Sequence, residues 1–271
     1  MVPQLSIIFM CVVLAFVAAV STALPIVIKR KWHVAVTPYF IGCATFVIFA
    51  LVLESIMHNI VLGLTGDAIT GNTWLYALYG GLAAGVFEET GRLLAMKLVM
   101  KKYRSNPHSA LMYGAGHGCG EAVLLVGITM LGNIVYSVMI NTGSVNSLLT
   151  GLTAEQTASV QDAIKQLCET PSYMWLLSAV ERAAAITLHI SLSVLVWTAV
   201  VRKRMSFYII AILVHALVDG AVVIIQQNGV NSIVLEAVVL VMSALAAWYA
   251  RSVWKRELKE TSSEPTAQPE P

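Results

Sequence analysis

Several short stretches of this chain hold ionisable residues inside otherwise apolar sequence. Glu88 and Glu89 are followed by Arg92, and His117 by Glu121. Glu181 and Arg182 precede His189, His215 is followed by Asp219, and Glu54 precedes His58. Residues four apart lie on one helix face, so Glu88 with Arg92, His117 with Glu121, and His215 with Asp219 each form one patch. Glu89 is turned roughly 100° from Glu88 on a helix of about 3.6 residues per turn. One of the two therefore faces a common site and the other pairs with a neighbour, Arg92 being the nearest cation. Neutral imidazoles are the commonest metal ligands. Three histidines, or two and a glutamate, with an open position make a catalytic zinc set, and a nearby glutamate can act as base on the bound water.

The elements that must position these groups are membrane spans. Of the 271 residues, 58% are hydrophobic and 12% are charged, which excludes a soluble globular domain, a disordered chain and a coiled coil. The net charge is only +2 and the basic residues cluster between apolar runs, so no nucleic-acid-binding stripe organises the chain. Seven apolar runs, 4–28, 38–62, 74–100, 109–140, 173–201, 206–226 and 231–253, are each long enough to span a bilayer, the fourth longer than needed, so that it tilts or ends near Asn133. Basic clusters at Lys29–Lys31, Lys101–Arg104, Arg202–Arg204 and Arg251–Lys259 hold 13 of the 17 Lys and Arg. They alternate with loops whose one basic residue is Lys165, which predicts an N-terminus outside and a C-terminus in the cytoplasm. The first run has its basic cluster after it and reads as a signal anchor, not a cleaved leader. The expected architecture is all-α and polytopic: a single membrane domain over 1–255 and a disordered cytoplasmic tail over 256–271. A short surface helix is expected over Thr153–Cys168. Cys11, Cys43, Cys119 and Cys168 lack CxxC spacing and read as small buried hydrophobes.

Depth makes one site of the scattered residues. Glu88, Glu89, His117, Glu121, His189, His215 and Asp219 all fall roughly 13–20 Å from the cytoplasmic ends of their spans, at about 1.5 Å per residue. Ionisable residues in a membrane are costly unless they pair or work, and Arg92 is the one cation at this level. Glu54 with His58 lies in the outer half of its span and reads as a structural pair or an outer vestibule, and Glu181 as a local partner of Arg182. Gly81 and Gly85, Gly114 and Gly118, and Gly116 and Gly120 are spaced for close helix packing.

Phe87-Glu88-Glu89-Thr90-Gly91-Arg92 resembles the EExxK/R motif of the PrsW-like and CAAX-prenyl-protease-like intramembrane proteases. The stretch from Gly114 to Ala122, around His117 and Glu121, is similar to their glycine-rich second motif, with Tyr113 in the aromatic-xxx-His position. His189 to Ser193 resembles an HxxxT/S element, and His215 to Gly220 the closing HxxxD/N motif. Over 1–255 the order of motifs is most similar to the YhfC branch, described as intramembrane metalloproteases. The CAAX branch has one more residue before its arginine and an Asn where this chain has Asp219, so prenylated substrates are not implied.

The resemblance implies hydrolysis of a peptide bond in or near the bilayer by a water that a metal, a glutamate or both activate. Water would be activated by Glu88 or Glu89. His117, His189 and His215 with Glu121 would hold a divalent metal, zinc by the donor set. Asp219 would orient His215, and Arg92 would fix the glutamate pair or help hold an oxyanion. For Glu121 and Asp219, ligation and orientation of a histidine fit equally. The implied partners are the lipid bilayer and a transmembrane or membrane-associated peptide, with no nucleic acid, in a bacterial cytoplasmic membrane. A proton- or cation-coupled transporter would use the same residue types as a relay. The chain lacks the internal symmetry usual in such transporters.

Overall fold

The computed structural model describes residues 1–145 and 150–263, and no strand occurs among them. In chain order the helices are α1 (Gln4–Trp32), α2 (Thr37–Thr65), α3 (Thr73–Leu94), α4 (Ser109–Asn141), α5 (Ala154–Glu169), α6 (Ser172–Val201), α7 (Ser206–Gln227) and α8 (Ser232–Ser263), with short turns between them. Six of these, all but α3 and α5, are long and apolar enough to cross a membrane. The seven expected spans thus correspond to these six and α3. That helix has 22 residues, but Glu88, Glu89 and Arg92 make it less apolar than the others.

The ends of the elements follow from local chemistry. The Asn72 side chain accepts from the backbone N–H groups of Trp74 and Leu75 and so starts α3. Thr153 and Gln156 form a capping box that starts α5, the surface helix expected from the sequence. His33 ends α1 in a left-handed conformation, just after Lys29, Arg30 and Lys31. Of the two readings of the long fourth run, an end near Asn133 is not taken: α4 runs to Asn141 through a π-helical stretch, Ala122–Gly127. The tail expected from 256 is helical as far as Ser263, where Glu257 is buried against Arg202; residues 264–271 lie outside the described residues. Cys119 is buried as expected, whereas Cys11 is exposed.

α6 forms the axis of the bundle. In its most apolar stretch 72% of residues are buried, against 17–22% in the other five spans, whose remaining apolar side chains face outward. Leu192, Leu195 and Trp197 of α6 form the main core with Met96, Met100 and Tyr113. The first half of α4 is the second buried element: 11 of the 13 residues Ser109–Glu121 are buried.

Glycine permits this burial. A Cβ on Gly114 would lie 2.7 Å from the Ile190 Cα, and one on Gly118 2.9 Å from the Ile186 Cα, so one face of α4 meets the α6 backbone directly. On another face a Cβ on Gly116 would overlap the Tyr39 carbonyl, and Gly42 of α2 meets the Tyr113 carbonyl in return. Gly81 and Gly85 let α3 lie against the backbone of α7 at Ala216 and Ile212. All three glycine pairs that the spacing singled out are therefore close helix contacts.

Gly116→Ala should lower stability by about 1–3 kcal/mol, because the overlapping atom is backbone and the helix must shift. Gly132→Ala, with nothing within 4 Å of its Cβ position, should leave the unfolding midpoint unchanged or slightly raised. Thermal unfolding of the two variants in detergent compares them.

Candidate metal centre

α3 resolves the choice between its two glutamates. Glu88 turns toward α4, α6 and α7, and its Oε2 accepts a 2.7 Å hydrogen bond from His117 Nε2. The same Oε2 lies 4.0 Å from His189 Nδ1, and Oε1 lies 4.0 Å from His215 Nε2. Glu88 therefore stands at the centre of three imidazoles from three helices. The ring centroids of His117 and His189 are 4.7 Å apart, and those of His189 and His215 5.4 Å apart. Glu89, fully buried, faces the other way: Oε2 lies 3.0 Å from Arg92 Nε, and Oε1 accepts from His215 Nδ1 at 2.9 Å.

Arg92 is also fully buried and ties α3 to α6. Its Nη1 donates to the His189 carbonyl at 2.6 Å and to Ser193 Oγ, and Nη2 lies 3.2 Å from His189 Nδ1. Ser193 donates onward to the His189 carbonyl, so the serine supports the backbone of that histidine and not its ring. Tyr113 covers the guanidinium, 6.0 Å from the ring centroid, and Phe46 of α2 meets His117 edge-on.

A second ion-paired group orients His189. Glu121 Oε2 lies 2.6 Å from His189 Nε2, while its Oε1 is held by Arg182, which also pairs with Glu181 at 2.6 Å. The local pairing expected for Glu181 is present. Glu121 instead departs from its helical spacing: it shares a face with His117 but its contacts are with α6. Asp219 lies 3.5 Å from His215 Nε2 and is the open member of the group, with 38% of its side chain exposed.

Glu88, His117 and His189 each offer a ligand atom within 4.8 Å of the other two, and all three residues are buried. Two imidazoles and a carboxylate are a zinc donor set. His117 presents Nε2 to Glu88, and His189 has the carboxylate partner common for metal-bound histidines. The residues present thus fit a metal. Of the four ligands expected from sequence, His117 and His189 belong to this group. Glu121 stands behind His189, and His215 lies beside Glu88 with its Nδ1 on Glu89. Glu88, expected as a base, lies in the same group.

A family model described as "YhfC intramembrane metalloprotease" matches residues 13–240. The chain belongs to the YhfC family. It is 37% identical over 257 residues to "Uncharacterized membrane protein YhfC" of Bacillus subtilis (strain 168), covering 92% of this chain and 96% of that one. No solved structure matches. The matched stretch includes Glu88, His117, Glu121, His189, His215 and Asp219.

Two residues of this YhfC chain escaped the motif reading. Tyr79 donates or accepts at 2.8 Å with His58 Nδ1, and His58 Nε2 lies 3.1 Å from Glu54. Tyr79 is nine residues from Glu88, half a helix turn out of phase, so its spacing carries no signal. Phe46 looks like any apolar span residue. The pairing of Glu54 with His58 was expected, but Glu54 also lies within range of the charges of His215 and Asp219.

Arg182→Gln should cost about 3–5 kcal/mol, because it leaves Glu121 buried without its cation. Chemical unfolding of the variant beside wild type measures the loss.

Proposed function

We propose that this YhfC-family chain is an intramembrane peptidase that hydrolyses a peptide bond in or near the bilayer. The observation that supports this most strongly is the buried grouping of Glu88, His117 and His189 from three helices, in a family described as intramembrane metalloproteases. These three residues would hold the metal, and zinc suits two imidazoles and a carboxylate. Bound there, the metal would polarise the scissile carbonyl and make a nucleophilic water available near neutral pH.

The protein groups have separable tasks in this reading. Glu88 Oε2 faces His117 and His189, and Oε1 faces His215. Oε1 takes a proton from the attacking water as the water oxygen bonds to the carbonyl carbon. His215 Nε2, 4.0 Å from Oε1, carries that proton to the leaving nitrogen as the C–N bond breaks. Glu89 fixes the His215 ring through Nδ1, and Asp219 steadies Nε2 from the open side. Glu121 orients His189, with Arg182 holding Glu121 in turn. Arg92 neutralises Glu89 and locks the α6 backbone at His189.

The same reading counts α3 as a seventh span. The N-terminus then lies outside and the C-terminus in the cytoplasm of a bacterial cell, with the four basic clusters on the inner side. The partners are the bilayer and a transmembrane or membrane-associated peptide, and nucleic acid has no place.

Purified protein in liposomes should cleave a membrane-segment peptide. A chelator should abolish cleavage and added zinc restore it. Glu88→Gln should lower the rate at least about 100-fold. A wild type that never cleaves, or a Glu88→Gln variant with full activity, would contradict the proposal.

A further inference from the structure

The two halves of α2 behave differently. Thr37–Phe46 packs into the bundle and buries five residues, Tyr39, Gly42 and Phe46 among them. A π-helical stretch follows, Val47–Glu54, and beyond it Ser55–Thr65 buries no residue at all. The far half of α2 therefore buries nothing in the bundle and is tied to it through His58 and Tyr79 of α3, while Glu54 at its near end lies within range of His215 and Asp219 of α7.

This open side is polar. Starting from Glu88 and His215, with 10% and 4% of their side chains exposed, the next group along α7 is Asp219, at 38%. On α2, Glu54 at 11% is followed by His58 at 32%, and His58 is bonded to Tyr79. Exposure thus rises stepwise from the buried centre toward the loop that joins α2 to α3. Ionisable groups at membrane depth face a protein interior or a water-filled cavity, not hydrocarbon. The opposite face of this part of α2 carries Ile56 and Ile60, 52% and 57% exposed, which suits lipid.

We propose that the far half of α2, with α3 and α7, frames a water-filled lateral portal through which the substrate's backbone reaches Glu88. Glu54, His58 and Tyr79 are its positioning residues. The substrate rests on the peptidase reading; the portal itself does not. A peptide bond can be cleaved only when its helix is locally unwound, and an unwound segment in a membrane needs partners for its N–H and C=O groups. The Glu54 carboxylate and the Tyr79 oxygen can accept from the segment's N–H groups, water in the portal serves its carbonyls, and the His58 ring, donating to Glu54 through Nε2 and accepting from Tyr79 at Nδ1, holds the two acceptors in place.

The portal is tested by labelling single-cysteine additions in intact membranes with a charged methanethiosulfonate, subtracting the wild-type chain with its four cysteines as blank. His58→Cys and Tyr79→Cys should react at least ten times faster than Ile60→Cys and Leu78→Cys, which face outward. Equal rates at all four positions, slow or fast, would overturn the portal whether or not the chain is a peptidase. In the cleavage assay, Glu54→Gln and Tyr79→Phe should raise KM several-fold and leave kcat within about twofold. A fall in kcat at unchanged KM would overturn their positioning role.

Discussion

A buried carboxylate pair in the middle of a bundle is the constraint on which the rest of this structure turns. Two adjacent glutamates on one helix cannot share a single cation and remain charged in a low-dielectric interior without further partners. The fold divides them. Glu89 takes Arg92 and one nitrogen of His215, and Glu88 is left to the three imidazoles. Arg92 then has donors to spare, and these reach the His189 carbonyl and Ser193 on α6. One ion pair thus fixes the relative placement of α3, α6 and α7, and with it the distances around Glu88.

Such distances require helices that nearly touch. The glycines at 114, 116, 118 and 120 give α4 two bare faces, one against α6 and one against α2. His117, between them, is carried into the centre with no exposed surface. The far half of α2 shows the contrary design. Beyond its π-helical stretch the helix buries no residue, and the polar side chains it carries are open rather than sealed. Tight packing on one side of Glu88 contrasts with the exposed polar side chains of α2, and the proposed portal rests on that contrast.

The residues of the centre were legible because a membrane chain has few reasons to hold Glu88, His117, His189 and His215 at one depth. Helical spacing also identified the glycine pairs, since small residues four apart make a groove whichever helix fills it. Cross-helix partners were less accessible. Spacing put Glu121 on the face of His117, yet its carboxylate reaches Arg182 and His189, because a side chain at the edge of a face can serve either neighbour. Spacing alone also left open which glutamate faces inward, a matter decided by the packing of α3 against α7. The apolar-run count treated α3 like the other spans, although its three charged residues set it apart from the six that qualify by composition. Tyr79 and Phe46 owe their positions to tertiary contacts and have no motif.

Metal content of the purified chain, by inductively coupled plasma mass spectrometry, tests the central claim most directly. The account predicts about one zinc per chain, lost in folded Glu88→Ala, His117→Ala and His189→Ala variants and retained in His215→Ala. A well-folded wild type loaded with zinc and still holding none would contradict it, as would a metal that survives loss of Glu88 and disappears with His215.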